Sequence, residues 1–191
     1  YEPVLRIQPT GSKDVTWGEF VEARFLKEYR RTHGVQLPLL RAFIGYMRKE
    51  LGVPYPLAHA RPWVGPGRHL FVEAQTEAKL PPDLWAAIEE PQTGVRLLLP
   101  PADAFLERVD FDDPNAGVVI RVFPVGRQSP VVIDPDVRFG SPSVRGIPTE
   151  SIAEQVEAGD SVESVARDFA LPLHLVVAAL GYENRGLDQA A

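Results

Sequence analysis

In the first third of the chain apolar residues return every three to four positions, a spacing that predicts helices. Trp17, Phe20, Val21, Phe25 and Tyr29 make one stripe over about 16–31, leaving Arg24, Lys27, Arg30 and Arg31 off it. Thr16-Trp-Gly-Glu19 has the form of a capping box, in which hydroxyl and carboxylate satisfy the open N–H groups of a helix start, and His33-Gly34 supplies the stop. Leu40, Phe43, Ile44, Met47 and Leu51 fall at i, i+3, i+4, i+7 and i+11, a second helix opened by Pro38 and expected to pack on the first. Ahead of both, VLRIQ (4–8) before PTGS reads as a short strand and turn.

From Gly52 to about Gln128 the period shortens. HLFVEAQ (69–75), VRLLL (95–99), FLERVDF (105–111) and VVIRVFP (118–124) read as strands, the last two joined through DDPNAG as a hairpin, and together they predict a small antiparallel sheet. LPPDLWAAIEE (80–90) fits a short helix or a strand equally. Beyond SPVVID, three short helical patterns follow. Thr149 is the expected cap of the first (150–158), Asp160 or Ser161 caps the second, and the third runs from Pro172 to Gly181. The expected architecture is α+β in three parts: helical 1–51, β-rich 52–128, and a trihelical module at 129–191.

Charge sharpens that division. Residues 1–51 hold nine Lys and Arg against six Asp and Glu, 52–128 hold seven against ten, and 129–191 hold four against ten. Only the N-terminal part suits a phosphate backbone, with Arg6, Lys13, Arg24, Lys27, Arg30 and Arg31 as its candidate DNA-binding set. Cysteine is absent, which excludes disulfides, thiolate nucleophiles and Cys-ligated metal and fits a reducing cytoplasm. His33, His59, His69 and His174 stand far apart without an i, i+4 pair, so no zinc site is expected, and no cofactor is implied. No apolar run approaches the roughly 20 residues of a membrane helix. The chain opens on Tyr1 with no charged-then-apolar leader, so the expectation is a cytoplasmic protein whose native start lies upstream.

Two constellations remain. Asp134 and Asp136 end an apolar run in Asp-x-Asp, the opening of some phosphoryl-transfer sites, yet the last lysine is Lys79 and too little chain follows for the surrounding α/β fold. The expectation is an Asx-type turn and no enzyme. Ala166, Ala170 at a turn, and Val176 have helix-turn-helix spacing. The third helix, LPLHLVVAAL, offers a base edge only His174, so Leu173, His174, Val177 and Leu180 are expected to meet protein instead, a partner or a second copy. Trp17, Trp63 and Trp85 read as core anchors, and Gly65-Pro-Gly67-Arg68 lacks the phosphate-loop spacing.

The run from Ile133 to Tyr182 closely resembles a short bacterial family known only as a domain of unknown function and found in antitoxins. Ile133-Asp134-Pro135, Gly140-Ser141-Pro142, Gly146, Gly159-Asp160-Ser161 and Ala179-Leu180-Gly181-Tyr182 carry the likeness, which departs at Gly146-Ile147-Pro148, where the family usually has Thr-Arg. The earlier part, VTWGEFVEARFLKEYR and GVPYPLAHARPWV, is similar to actinobacterial VapB-type antitoxins that join a MerR-like DNA-binding region to this module. The resemblance implies a truncated MerR-like region, with Tyr1 to Gln8 as its wing, and an antitoxin that blocks a VapC-type PIN-domain ribonuclease. It also implies that the antitoxin–toxin pair represses its own promoter, and a two-fold operator makes a homodimer the default. Arg127, Arg138, Arg145 and Arg185 are then candidates for entering the toxin's carboxylate cluster, since a guanidinium grips a carboxylate through two hydrogen bonds. The alternatives are a MerR-like regulator sensing a small ligand in a pocket lined by Trp63 or Trp85, and a metal-dependent phosphohydrolase using Asp134 and Asp136.

Overall fold

The structure, a computed structural model, describes residues 3–6, 11–89 and 91–188, without the side chains of 32, 33 and 185–188. It is α+β, with helices α1 (Trp17–His33), α2 (Leu37–Leu51), α3 (His69–Glu77), α4 (Pro100–Leu106), α5 (Thr149–Glu157), α6 (Val162–Asp168) and α7 (Leu173–Asp188). The strands are β1 (Ala87–Glu89), β2 (Arg96–Leu98), β3 (Val109–Phe111), β4 (Val119–Val122), β5 (Ser143–Val144) and β6 (Ile147–Pro148). They pair as β1–β2, β3–β4 and β5–β6, three two-stranded ladders where one small sheet was expected. Two compact units result, Tyr1–Val119 and Ile120–Ala191.

In the first unit the helical start and the β-rich middle share one core. Phe25, Trp63, Phe71 and Phe105 meet edge-on or stacked, with Trp63 4.9 Å from both Phe71 and Phe105, and Tyr29 and Phe43 extend the cluster. Each such buried ring contributes about 1.5–3 kcal/mol by leaving water, and edge-to-face contact adds about 0.5–1.5 kcal/mol. Trp63 donates to the Leu57 carbonyl at 3.1 Å, so its one polar atom is satisfied inside the core. The capping box at Thr16 and Glu19 is present, and Gly34 and Gly52 close α1 and α2 in the left-handed conformation that favours glycine. Helices α1 and α2 meet through Tyr29 and Phe43, while α3 provides a further face for α2.

Several expectations need correction here. Residues 69–75 form α3, because Leu70, Phe71, Ala74 and Gln75 are buried at a helical spacing; the Gln75 amide then caps the neighbouring chain through Ala86 N–H, Ala87 N–H and the Ala87 carbonyl. Residues 105–111 divide between α4, opened by Pro100 and Pro101, and β3. The ambiguous 80–90 run is both things, a 3-10 turn at Pro82–Leu84 followed by β1. Val4 and Leu5 lie in a bend, not the expected strand, and Ile7 and Gln8, with Tyr1 and Glu2 of the expected wing, lie outside the described residues.

The second unit has its own core of Val131, Val144, Ile152, Val165, Leu171, Leu175, Val176 and Ala179. Two bridges, Val122 with Ile133 and Val132 with Ser143, lay its short extended segments side by side beneath α5, α6 and α7. Thr149 is not the cap of α5. Its own N–H donates to the Pro142 carbonyl, and its hydroxyl bonds that carbonyl and the Glu183 carboxylate of α7. Helix α7 therefore runs on past Gly181, with Tyr182 packed on the core and Glu183 tied to Thr149. Ser161 caps α6 by accepting from the Ser164 N–H. Between α6 and α7 the chain bends by 113°, with Ala166 and Val176 buried at the crossing and Ala170 in left-handed backbone at the turn, the arrangement their spacing predicts.

Candidate functional site

Helix α7 offers the clearest unpartnered face. Leu173 and Val177 are 46% and 56% exposed one turn apart, and His174 stands exposed beside them; Leu180 is only half-exposed because it also packs on the core. Leu175, Val176 and Ala179 occupy the opposite side of the same helix, buried. The apolar content of LPLHLVVAAL is therefore split between the unit's own core and an outward face. Around it the exposed charges on α5 and α6 are predominantly acidic: Glu150, Glu154, Glu157, Glu163 and Asp168, with Asp160 between the helices. A surface of that sign repels a phosphate backbone, and a face with one imidazole gives little sequence readout.

The Asp-x-Asp is an Asx turn. Asp134 accepts the Asp136 N–H at 3.0 Å on one oxygen and the Arg121 guanidinium at 3.1 Å on the other, so its carboxylate is occupied in shaping the chain. Asp136 is exposed, and among the described residues no group of three His, Cys, Asp or Glu could hold a metal ion. Of the candidate arginines in this unit, Arg127 lies over the Phe123 ring at 4.6 Å, while Arg138 and Arg145 are exposed on turns; the Arg185 side chain lies outside the described residues.

The basic set of the first unit does not act as one patch. Arg6 is drawn inward, its guanidinium donating to Glu19 at 2.8 Å and to the carbonyls of Ser12 and Asp14. Burial pushes the Glu19 carboxyl up, but the Thr16 N–H, the Arg6 guanidinium and the Tyr55 hydroxyl outweigh it, and the net shift is below the ordinary carboxylate value. Arg24 is half-buried near the Phe20 ring. Lys27, Arg30 and Arg31 fall at i, i+3 and i+4 of α1 and are exposed, as is Lys13 before the helix. Of the six candidates, these four are exposed to an external phosphate.

Two features escaped the sequence. Glu22 is fully buried, paired to Arg48 at 2.7 Å and reached by the Leu57 N–H; its place next to Val21 and three before Phe25, on the apolar stripe of α1, was the signal. Phe139 is fully exposed, and nothing in the order of residue types distinguishes it from a core phenylalanine. Trp17 and Trp85 are half-buried with their indole N–H groups donating to the carbonyls of Val119 and Leu80, and Trp63 is enclosed by the aromatic core.

Residues 131–182 match the family described as "Protein of unknown function (DUF433)". That segment covers the second unit's core from Val131 through Ala179. The fold is similar to that of the X-ray crystal structure of Rv2018 from Mycobacterium tuberculosis, with a TM-score of 0.68 and 23% identity over 91% of this chain and 82% of that one. Over 192 residues the chain is 32% identical to the uncharacterized protein Rv2308 of Mycobacterium tuberculosis, spanning 97% of this chain and 77% of that protein. The chain belongs to the family of Rv2308.

Proposed function

We propose that the chain is an antitoxin of the VapB type, which neutralises a VapC-type PIN-domain ribonuclease by binding it directly and represses its own promoter. The observation that carries the reading is the outward face of α7: Leu173 and Val177 stand exposed in an acidic unit, a combination suited to a protein partner and unsuited to DNA. Operator binding then belongs to the first unit, where Lys13, Lys27, Arg30 and Arg31 are exposed, and a two-fold operator calls for a homodimer. The MerR-like character of that region is part of the same proposal, as is a cytoplasmic setting.

The test uses a purified VapC-type PIN-domain nuclease, sought first in the reading frame next to the chain's gene. Titrating the full chain into the nuclease is expected to abolish RNA cleavage at a fixed stoichiometry, and Leu173→Glu with Val177→Glu is expected to weaken binding tenfold or more while circular dichroism stays unchanged. Undiminished cleavage at a large excess of wild-type chain would sink the antitoxin reading. For DNA, alanine at Lys27, Arg30 and Arg31 is expected to flatten the dependence of log K on log salt by about 0.9 per lost phosphate contact; an unchanged slope removes α1 from the interface.

A further inference from the structure

Three consecutive residues of the second unit, Arg138, Phe139 and Gly140, lie in left-handed backbone with φ of 48°, 56° and 81°. A few residues on, Arg145 and Gly146 make the β5–β6 turn with φ of 49° and 79°. The two turns adjoin: a Cβ placed on Gly146 would sit 3.9 Å from Val137 Cγ1, immediately before Arg138. Left-handed backbone costs a residue with a side chain about 1–2 kcal/mol, and here Arg138, Phe139 and Arg145 are all in it. Hydrogen bonds hold the shape, from Val137 N–H to Asp134, Gly140 N–H to Val137 and Ser141 N–H to Arg138.

What this strained backbone presents is a phenylalanine at 103% exposure, with Arg138 and Arg145 exposed on the same two turns. Among the described residues neither guanidinium has a hydrogen bond or ion pair. A bare aromatic in unfavourable backbone contributes nothing to this fold. Burial elsewhere gives the residue its use. We infer that the double turn of Arg138-Phe139 and Arg145 is an anchor for an acidic protein surface, the ring entering an apolar recess and the two guanidinium groups meeting carboxylates at its rim.

Charge selects that occupant. The second unit as a whole has six Lys and Arg against ten Asp and Glu, so a polyanion long enough to track a surface is repelled by the acidic α5 and α6, whereas a local carboxylate cluster can meet the two arginines, which outnumber the one exposed carboxylate nearby, Asp136. The fork of a guanidinium also matches a carboxylate through two parallel bonds. This inference rests on the reading of the second unit as a protein-binding module, and it adds a second contact beside the α7 face.

The test places the photoreactive residue p-benzoylphenylalanine at position 139 of the full chain, in its native cells, and identifies the cross-linked peptide by mass spectrometry. The partner so identified is then purified for affinity measurements. Cross-linking to a peptide containing Asp or Glu is expected, together with a tenfold or greater loss of affinity in Phe139→Gly and in Arg138→Ala with Arg145→Ala. Phe139→Gly relieves the backbone strain, so it folds at least as well as the wild type and its loss of binding is not a folding defect. Cross-linking to nucleic acid, to a second copy of the chain, or to nothing overturns the inference, as does undiminished affinity in Phe139→Gly. A cross-linked partner that is not a PIN nuclease, with affinity lost as expected, leaves the anchor standing and removes the antitoxin reading. A nuclease that binds the wild type and Phe139→Gly alike does the reverse.

Discussion

Glu19 and Glu22 lie three residues apart near the start of α1, yet their surroundings drive them in opposite directions. Burial is the larger influence on Glu22 and outweighs the Arg48 guanidinium and the Leu57 N–H, pushing its carboxyl from the ordinary 4.5 to about 7. In the unfolded chain that proton leaves near pH 4.5; in the folded chain it stays until about pH 7. The folded state therefore holds the extra proton between those values, and stability declines as pH rises through the window, by up to about 1.4 kcal/mol per pH unit from this group. Glu19, depressed instead, adds stability above the ordinary value that is lost as pH falls below it, so the two windows do not overlap. Glu22→Gln is expected to remove the decline between pH 5 and 7 in urea midpoints, and to leave Arg48 without its anion only above about pH 7. The same slope in variant and wild type would show that Glu22 is ionised throughout.

Among the elements, the turn from α6 to α7 shows how backbone hand decides packing. Leu171 N–H reaches the Ala166 carbonyl at 2.8 Å and Ala170 N–H that of Arg167 at 3.0 Å, a Schellman ending with Ala170 at φ 51° where glycine is the usual residue. Ala170→Gly relieves the Cβ clash at the cost of a more flexible unfolded chain, a net gain of about 0.5–1 kcal/mol. Thermal unfolding of the full chain followed by far-ultraviolet circular dichroism is expected to shift up by a few degrees, and a lower midpoint would contradict the strain assigned to this turn. This turn was legible from spacing, as were α1 with its stripe and Gly34 end and α2 with its stripe. Helix α3 was not, because seven residues of HLFVEAQ satisfy a strand pattern as well as a helix pattern, and only the enclosing aromatic core separates them. Of the candidate site, the α7 face could be read from Leu173 and Val177, and Arg138 and Arg145 from their charge. Phe139 could not, because exposure follows from the left-handed backbone at three successive residues and residue order shows only the glycine among them.

For the chain as a whole, the boundary at Val119 and Ile120 falls inside β4, so the second unit begins partway along a strand. The fragment 120–191 would keep the bridge from Val122 to Ile133 and the apolar core beneath the three helices. Seventy-odd residues bury a smaller share of their surface than a larger domain does, which puts an isolated unit of this size at a few kcal/mol of stability. Its helices are short, but Ile152, Val165, Leu175, Val176 and Ala179 join all three in one cluster, so they are expected to form together or not at all. All three tryptophans belong to the first unit, and the fragment's folding must be read by circular dichroism and amide spectra. We expect a helical spectrum, dispersed amide resonances and a single melting transition below that of the full chain. A coil-like spectrum would mean that the division at residue 119 does not mark an autonomous unit. A folded fragment that also retains the partner's affinity, with Phe139→Gly weakening it as in the full chain, would place both contact surfaces within these residues and leave the exposed cations of α1 for a separate ligand.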